Sequence, residues 1–399
     1  MSAAEPLEQV PLPEPVLAIA RALEQAGFET WCVGGALRDW RLAPRQALQY
    51  DVDLATAAQP DQVRKLFPRT VAVGAKYGTV GVLDPQGGLH EVTTFRKDVA
   101  TDGRHAVVEY GVSIVEDLHR RDFTINAMAY HPLSHQWLDP EGGRQDLLDG
   151  VVRAVGDPAS RFAEDYLRIL RMVRFAARFG FRIDPPTFAA AQAAAPGLRR
   201  LSAERVRDEW FKGLAAARQV GQFVGLWSET GAASVWIPEL REPYPLPHEV
   251  PLDRRDPVIL TVALISKPAA VLRRLRASGA EIARAAAMEH GPLEPQAADP
   301  LSVRRWLSAT GGAADDLMAL TELRAGAPPP WRAVVEGIRA RGEATSRGQL
   351  ALSGDDLVAL GVSPGPELGV LLHRLLETVL AQPDLNTRDR LLELVNTWR

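Results

Sequence analysis

The spacing of apolar and polar residues changes once along this chain, close to residue 150. Upstream, residues 16–26 repeat apolar positions at helical spacing. The short runs 30–33, 52–54, 71–73, 79–83 and 90–95 are instead rich in Val, Thr and other strand-favouring residues. Those runs predict a sheet accompanied by helices. Beyond Asp149-Gly150, long segments rich in Ala, Leu and Arg carry apolar residues three and four apart, which predicts helices to the C-terminus. The whole is therefore an α+β chain. Breakers cluster at Asp184-Pro185-Pro186 and in the stretches 238–257, 291–300 and 327–330. They suggest a head over 1–150, a helical neck over 151–220, a helical body over 221–300 and a helical tail over 301–399.

Composition narrows the classes without choosing among them. A chain of 399 residues holds about two to three domains, and 46% hydrophobic with 24% charged residues is ordinary for a globular protein. The net charge of -4 gives no global basicity, so any nucleic-acid contact must come from local patches. Cys32 is the single cysteine, which excludes an internal disulfide and a cysteine-based zinc site. The first fifteen residues are acidic and proline-rich and lack a signal-peptide pattern, so a cytoplasmic location is expected. No stretch approaches the ~20 apolar residues of a membrane span, and no obligate protein partner is evident.

Chemistry concentrates in the head. Gly34-Gly35-Ala36-Leu37-Arg38-Asp39 follows a short apolar run, and two residues without side chains let backbone N–H groups approach a phosphate at a helix start. Arg38 could add a charged contact, although a Gly-Gly pair alone is more often a plain turn. Asp51-Val52-Asp53-Leu54 comes next. On a strand, Asp51 and Asp53 project from one face while Val52 and Leu54 face the core. Two like charges so placed repel, and a pair of divalent cations about 3.5 to 4 Å apart relieves the repulsion and suits in-line phosphoryl transfer. Oxygen ligands favour Mg²⁺. An isolated Asp-x-Asp is more often a solvated turn. Glu91, alternating with core-facing Val92, is a candidate third carboxylate, or an outward charge on an edge strand.

The run Arg120-Arg121-Asp122-Phe123-Thr124-Ile125-Asn126 offers arginines for a triphosphate, and Asp122 and Asn126 for a ribose edge. Taken in order, GGALRD, DVDL, EVTTFR, RRDFTINAMAY and DGVVRAVGDPASRFAEDYLRILRMVRFAARFGF resemble the bacterial class of tRNA nucleotidyltransferases, the CCA-adding enzymes of the polymerase-beta-like superfamily. The resemblance implies a small mixed catalytic sheet, two Mg²⁺ ions on Asp51 and Asp53, nucleotide contacts from Arg121, Asp122 and Asn126, and a tRNA 3′ end held by the helical half. The implied reaction adds C and A from CTP and ATP and releases pyrophosphate. The tail segment LSGDDLVALGVSPGPELGVLLHRLL extends the likeness weakly.

Glu164-Asp165-Tyr166-Leu167-Arg168 is similar to the family motif in which side chains stand in for a template. Asp165 and Arg168 are three apart on a helix, so they share a face and present an acceptor beside a fork of donors. Cytosine and adenine match that order, whereas uracil and guanine reverse it. Each mismatch costs ~1 to 3 kcal/mol. Glu164 would orient Arg168. Arg171, Arg174, Arg178 and Arg182 then form a basic stripe opposite Leu170, Val173 and Ala177, and a helix expected over 203–217, capped by Ser202, adds Arg205 and Arg207. These arginines are expected along a phosphate backbone, with a solvated face as the plainer reading.

Among family members, poly(A) polymerases carry an arginine-rich segment where this chain has Val73 to Thr79, which favours tRNA. The segment 97–119 keeps the length of the flexible loop associated with adding the terminal A, though His105-Ala106 replaces the usual Arg-Pro pair. An enzyme adding only CC or only A is the alternative, with a poly(A) polymerase as the nearest rival. No phosphohydrolase His-Asp dyad occurs over 231–300, so no attached phosphatase activity is expected. Two other classes fit the residues less well. A small-molecule nucleotidyltransferase would not need the arginine-striped helical half, and a non-catalytic RNA-binding protein would not need Asp51 and Asp53.

Overall fold

The alternation read in the head becomes a two-faced sheet. The computed structural model describes residues 9–43, 52–73, 78–101, 106–241, 246 and 250–398, and packing divides the chain into two units, Met1–Pro238 and Glu239–Arg399. The N-terminal unit opens with α1 (Glu14–Gln25), β1 (Thr30–Val33), α2 (Gly35–Leu42), β2 (Asp53–Thr56), α3 (Pro60–Leu66), β3 (Thr70–Val71), β4 (Thr79–Leu83) and β5 (Leu89–Thr94). It continues with β6 (Arg96–Thr101), β7 (Ala106–Tyr110), α4 (Ile114–His119), β8 (Ala129–Tyr130), β9 (Trp137–Leu138), α5 (Gly143–Leu148) and β10 (Val151–Val152). Then come α6 (Pro158–Glu164), α7 (Leu167–Phe179), β11 (Arg182–Ile183), α8 (Pro185–Ala194), α9 (Ala203–Ala216), α10 (Val220–Glu229) and α11 (Ala232–Trp236).

Seven strands pair in the order β3-β4-β5-β2-β1-β8-β9. β2 and β5 run parallel and the other neighbours antiparallel, so the sheet is mixed, as expected. One face buries Cys32, Leu54, Val80 and Val92 against Leu23, Leu37 and Val63. The other carries Val33 and Ala55 into a second core with Ile114 and Leu118. Because side chains alternate along a strand, Asp53 belongs to the second face. Leu54 is in register with Val92, so Glu91 occupies the neighbouring position on that same face.

Two readings of local structure need correction. The segment 97–119 is not one irregular loop: β6 and β7 pair antiparallel, with a register break between Asp98 and Ala100, and α4 follows behind a capping box from Ser113 and Glu116. The segment 164–168 is not one helix either. α6 ends at Glu164, Asp165 is extended, and α7 starts at Leu167, whose N–H donates to Asp165 Oδ1 across 3.0 Å. Arg182 lies on β11, beyond the left-handed turn at Gly180, so the basic stripe ends at Arg178.

The C-terminal unit is helical throughout its described elements: α12 (Pro257–Leu264), α13 (Pro268–Arg274), α14 (Gly279–His290), α15 (Pro300–Thr310), α16 (Ala314–Ala325), α17 (Arg332–Ala340), α18 (Gly354–Ala359), α19 (Pro366–Ala381) and α20 (Arg388–Trp398). Its last helices close on Leu357, Leu375, Val379, Leu391 and Val395. Among the described residues, no helix is long and apolar enough to cross a membrane.

Candidate active site

A cleft of about 670 Å³ opens on the second face of the sheet and collects most of the motif residues. Gly34, Gly35, Arg38, Asp53 and Glu91 line it from the sheet side, together with Arg121, Asp122 and Asn126. Asp165, Arg168, Arg171, Arg174, Arg178 and Arg205 line it from the helical side. Nine arginines face five carboxylates around this space, an excess of positive charge that suits a polyphosphate. Asp51 lies outside the described residues, as do Asp102, Gly103, Arg104 and His105 of the β6–β7 connection.

Gly34 explains how Asp53 reaches the cleft. The residue turns the chain from β1 into α2 with φ at 87°, in the left-handed region that glycine tolerates. A Cβ there would sit 2.9 Å from Asp53 Oδ2, so the missing side chain is the space the carboxylate occupies.

Behind the sheet-side wall runs a chain of bonds among buried groups. Arg38 Nη1 donates to Asn126 Oδ1 (2.6 Å), Asn126 Nδ2 donates to Asp122 Oδ1 (2.9 Å), and Arg171 Nε donates to Asp122 Oδ2 (2.7 Å). Arg38 is held further by Asp39 at 2.8 Å, and its guanidinium lies over Phe175 and Phe179 at 5.0 and 4.9 Å from the ring centroids. Burial lowers the Arg38 pKa from its ordinary value, with Asp39 opposing. Burial works to raise the Asp122 carboxyl, but Arg171, Asn126 and Arg168 outweigh it and hold the pKa at about 2. Both Asp122 oxygens are therefore engaged in orienting Asn126 and Arg171.

Sequence reasoning missed Asp117. This buried acid on α4 accepts from Arg120 Nε (2.9 Å) and from Arg121 Nη2 (3.3 Å), while Arg121 also donates to the Asn126 carbonyl at 3.2 Å. Burial alone would raise its pKa; Arg120 and Arg121 bring it below the usual value. Its spacing of three and four residues from the two arginines on a helix was the available signal.

On the helical side, Arg168 Nη1 donates to Glu164 Oε2 at 2.5 Å, so the expected Glu164 partner is in contact. Arg168 also donates to the carbonyls of Arg161 and Arg120, each at 3.0 Å, and the second bond ties α7 to the end of α4. The stripe arginines are each matched by an acid. Arg174 pairs with Glu209 at 2.5 Å, Arg178 with Asp39 at 3.0 Å and Arg205 with Asp165 at 2.6 Å. Arg207 bonds its neighbour Asp208 at 2.7 Å and is not among the residues lining the cleft. Four of the six arginines expected on a phosphate backbone, Arg171, Arg174, Arg178 and Arg205, thus share the cleft with the nucleotide motifs. Among the described residues, no three or more His, Cys, Asp or Glu side chains gather as a metal-holding group.

Comparison with known proteins agrees with this geometry. Residues 30–153 match the poly A polymerase head domain, and residues 180–242 match the probable RNA and SrmB-binding site of polymerase A. A mixed sheet that brings a carboxylate and a glycine turn to an arginine-lined cleft is the head of a nucleotidyltransferase. The relatives make the assignment narrower. The CCA-adding enzyme of Levilactobacillus brevis is 34% identical over 394 residues, covering 92% of each chain, and that of Leuconostoc mesenteroides is 44% identical over 210 residues, about half of each. The solved CCA-adding enzyme of Bacillus stearothermophilus in complex with CTP superposes with a TM-score of 0.79 at 30% identity, covering 96% of this chain and 98% of that one. The chain belongs to the family of CCA-adding enzymes, the tRNA nucleotidyltransferases.

Proposed function

We propose that this enzyme adds C, C and A in turn to the 3′ end of tRNA, consuming CTP and ATP, in the cytoplasm. The single observation that supports this most strongly is the cleft itself, where Asp53 and Glu91 share one wall and arginines of α7 and α9 supply the other. In the reaction, the 3′ oxygen of the tRNA forms a bond to the α-phosphorus of the nucleotide. The bond from that phosphorus to the bridging oxygen breaks, pyrophosphate leaves with the electron pair, and the hydroxyl proton passes to solvent.

The donor set fits a hard divalent cation, because Asp53 offers carboxylate oxygens in a cradle that a Cβ at Gly34 would fill. Asp51 and Asp53 would hold two Mg²⁺ ions, with Glu91 as a third carboxylate nearby. Magnesium supplies there a more acidic 3′ hydroxyl and charge neutralisation at the triphosphate. The chain's own groups do the rest. Arg121 and the N-terminus of α2 at Gly34 and Gly35 receive phosphate, Asn126 reads the ribose edge, and Asp165 and Arg168 select the base.

Base choice follows from donor and acceptor order. Asp165 accepts from the amino group that cytosine and adenine share, and Arg168 donates to the adjacent ring nitrogen. Tail and body elements hold the remainder of the tRNA in this reading. Arg171, Arg174 and Arg178 contact the acceptor end where it enters the cleft, while Arg207 contacts backbone outside it. The test is incorporation of labelled CTP and ATP into tRNA lacking its 3′ CCA, omitting each nucleotide in turn. Two C and one A are expected. A long A tail would select a poly(A) polymerase, and CC or A alone a partial enzyme.

A further inference from the structure

Arg205 lies on α9, far in sequence from the base-selecting motif, and its position gives it a different task from gripping a phosphate backbone. We infer that Arg205 is a positioning residue for base selection, acting by fixing the carboxylate plane of Asp165; this rests on the proposed role of Asp165. Asp165 sits in the extended break between α6 and α7, where its carbonyl accepts from the Arg168 N–H at 3.1 Å but that bond leaves its side chain unrestrained. Two donors hold its carboxylate instead. Oδ1 accepts from the Leu167 N–H at 3.0 Å and Oδ2 accepts from Arg205 Nη2 at 2.6 Å.

The consequence is geometric. An ionised carboxylate has about four acceptor sites, and one is taken on each oxygen, so the remaining sites keep a fixed direction. With the Arg205 bond removed, only the Leu167 N–H restrains rotation about the terminal torsion of an aspartate, which has broad, weakly separated minima. An acceptor free to turn still takes a hydrogen bond from an amino group but no longer excludes a base that presents a carbonyl. Discrimination, more than binding, depends on the restraint. Arg205 also lines the cleft, and its Nη1 is buried with no protein partner among the described residues.

The experiment is single-turnover incorporation of CTP and UTP into tRNA lacking CCA, by the full-length wild type, Arg205→Ala, Arg205→Lys, Asp165→Ala and the double variant. Arg205→Ala is expected to lower the CTP-to-UTP ratio of kcat/KM about tenfold and to leave the tRNA Kd within about twofold, since one phosphate contact is not being removed. Arg205→Lys, which keeps one charged donor toward Oδ2, should recover part of the ratio and shows that loss of folding is not the cause. In the Asp165→Ala background, Arg205→Ala should change the ratio no further. An unchanged ratio in Arg205→Ala, with weakened tRNA binding, would overturn the inference and return Arg205 to the phosphate backbone. If wild type itself fails to incorporate C, the proposed function fails; that outcome is distinct from a discriminating Arg205→Ala variant.

Discussion

Arg171 of α7 donates to Asp122 Oδ2 at 2.7 Å, and this one bond joins α7 to the sheet side of the cleft. Asp122 in turn accepts from Asn126 Nδ2 at 2.9 Å, so the position of Asn126 is tied to α7. Removing Arg171 takes the arginine donor from Oδ2 of a buried carboxylate whose other bonds, from Asn126 and the Phe123 N–H, both go to Oδ1. Arg171→Ala is expected to cost ~1.5 to 3 kcal/mol in urea unfolding and to raise the nucleotide KM, with CTP and ATP affected alike.

The same carboxylate gives a pH signature. Its folded pKa of about 2 lies below the ordinary 3.8, so its contribution to stability is present above pH 4 and is lost as the pH falls through 2. The size is roughly 2 kcal/mol. Stability measured from pH 5 down to pH 2 should therefore fall more steeply for wild type than for Asp122→Asn, and parallel curves would count against the Arg171 pairing.

At Gly34, two independent demands meet, a left-handed φ of 87° and the proximity of Asp53 Oδ2. Gly34→Ala should strain the turn by about 1 to 2 kcal/mol and push the Asp53 carboxylate out of place. Incorporation is expected to fall at least about a hundredfold while thermal unfolding shifts only modestly. A variant with wild-type turnover would show that Asp53 has room to spare.

Much of this architecture was legible in the chain, for reasons that also explain the failures. Val80 and Val82 of β4 and Val92 of β5 point into one core as their alternation implied, β1 is buried on both faces, and Val52 and Leu54 do enter the core as their spacing implied. The break at Asp165 was hard to see, since good helix formers flank it on both sides, Arg161 to Glu164 before and Leu167 to Met172 after. What ends α6 is tertiary: the carboxylate of Asp165 is claimed by Arg205 from α9. The arginine stripe was read as a track for a phosphate backbone or a solvated face, without its acidic partners, because Asp39, Asp122 and Glu209 lie far away in sequence. Asp117 resembled any acid in the first turn of a helix until the fold set it beneath Arg121.

Asp117 therefore makes a direct test of how the triphosphate wall is built. With the buried carboxylate gone, Arg120 and Arg121 keep their charges but lose the group that aims them. Asp117→Ala should raise the KM for CTP about tenfold with a smaller change in kcat, and Asp117→Asn, which still accepts a hydrogen bond, should fall between. Equal KM values in all three proteins would place the phosphates elsewhere.

In the proposed reaction Asp53, at the start of β2, and Asp51 drive the tRNA 3′ hydroxyl onto the nucleotide. Its most direct measurement is single-turnover C incorporation by Asp53→Ala at saturating CTP and Mg²⁺, with tRNA binding measured on the same preparation. The account predicts a loss of at least about a hundredfold in incorporation with tRNA affinity preserved. Incorporation at the wild-type rate would contradict it.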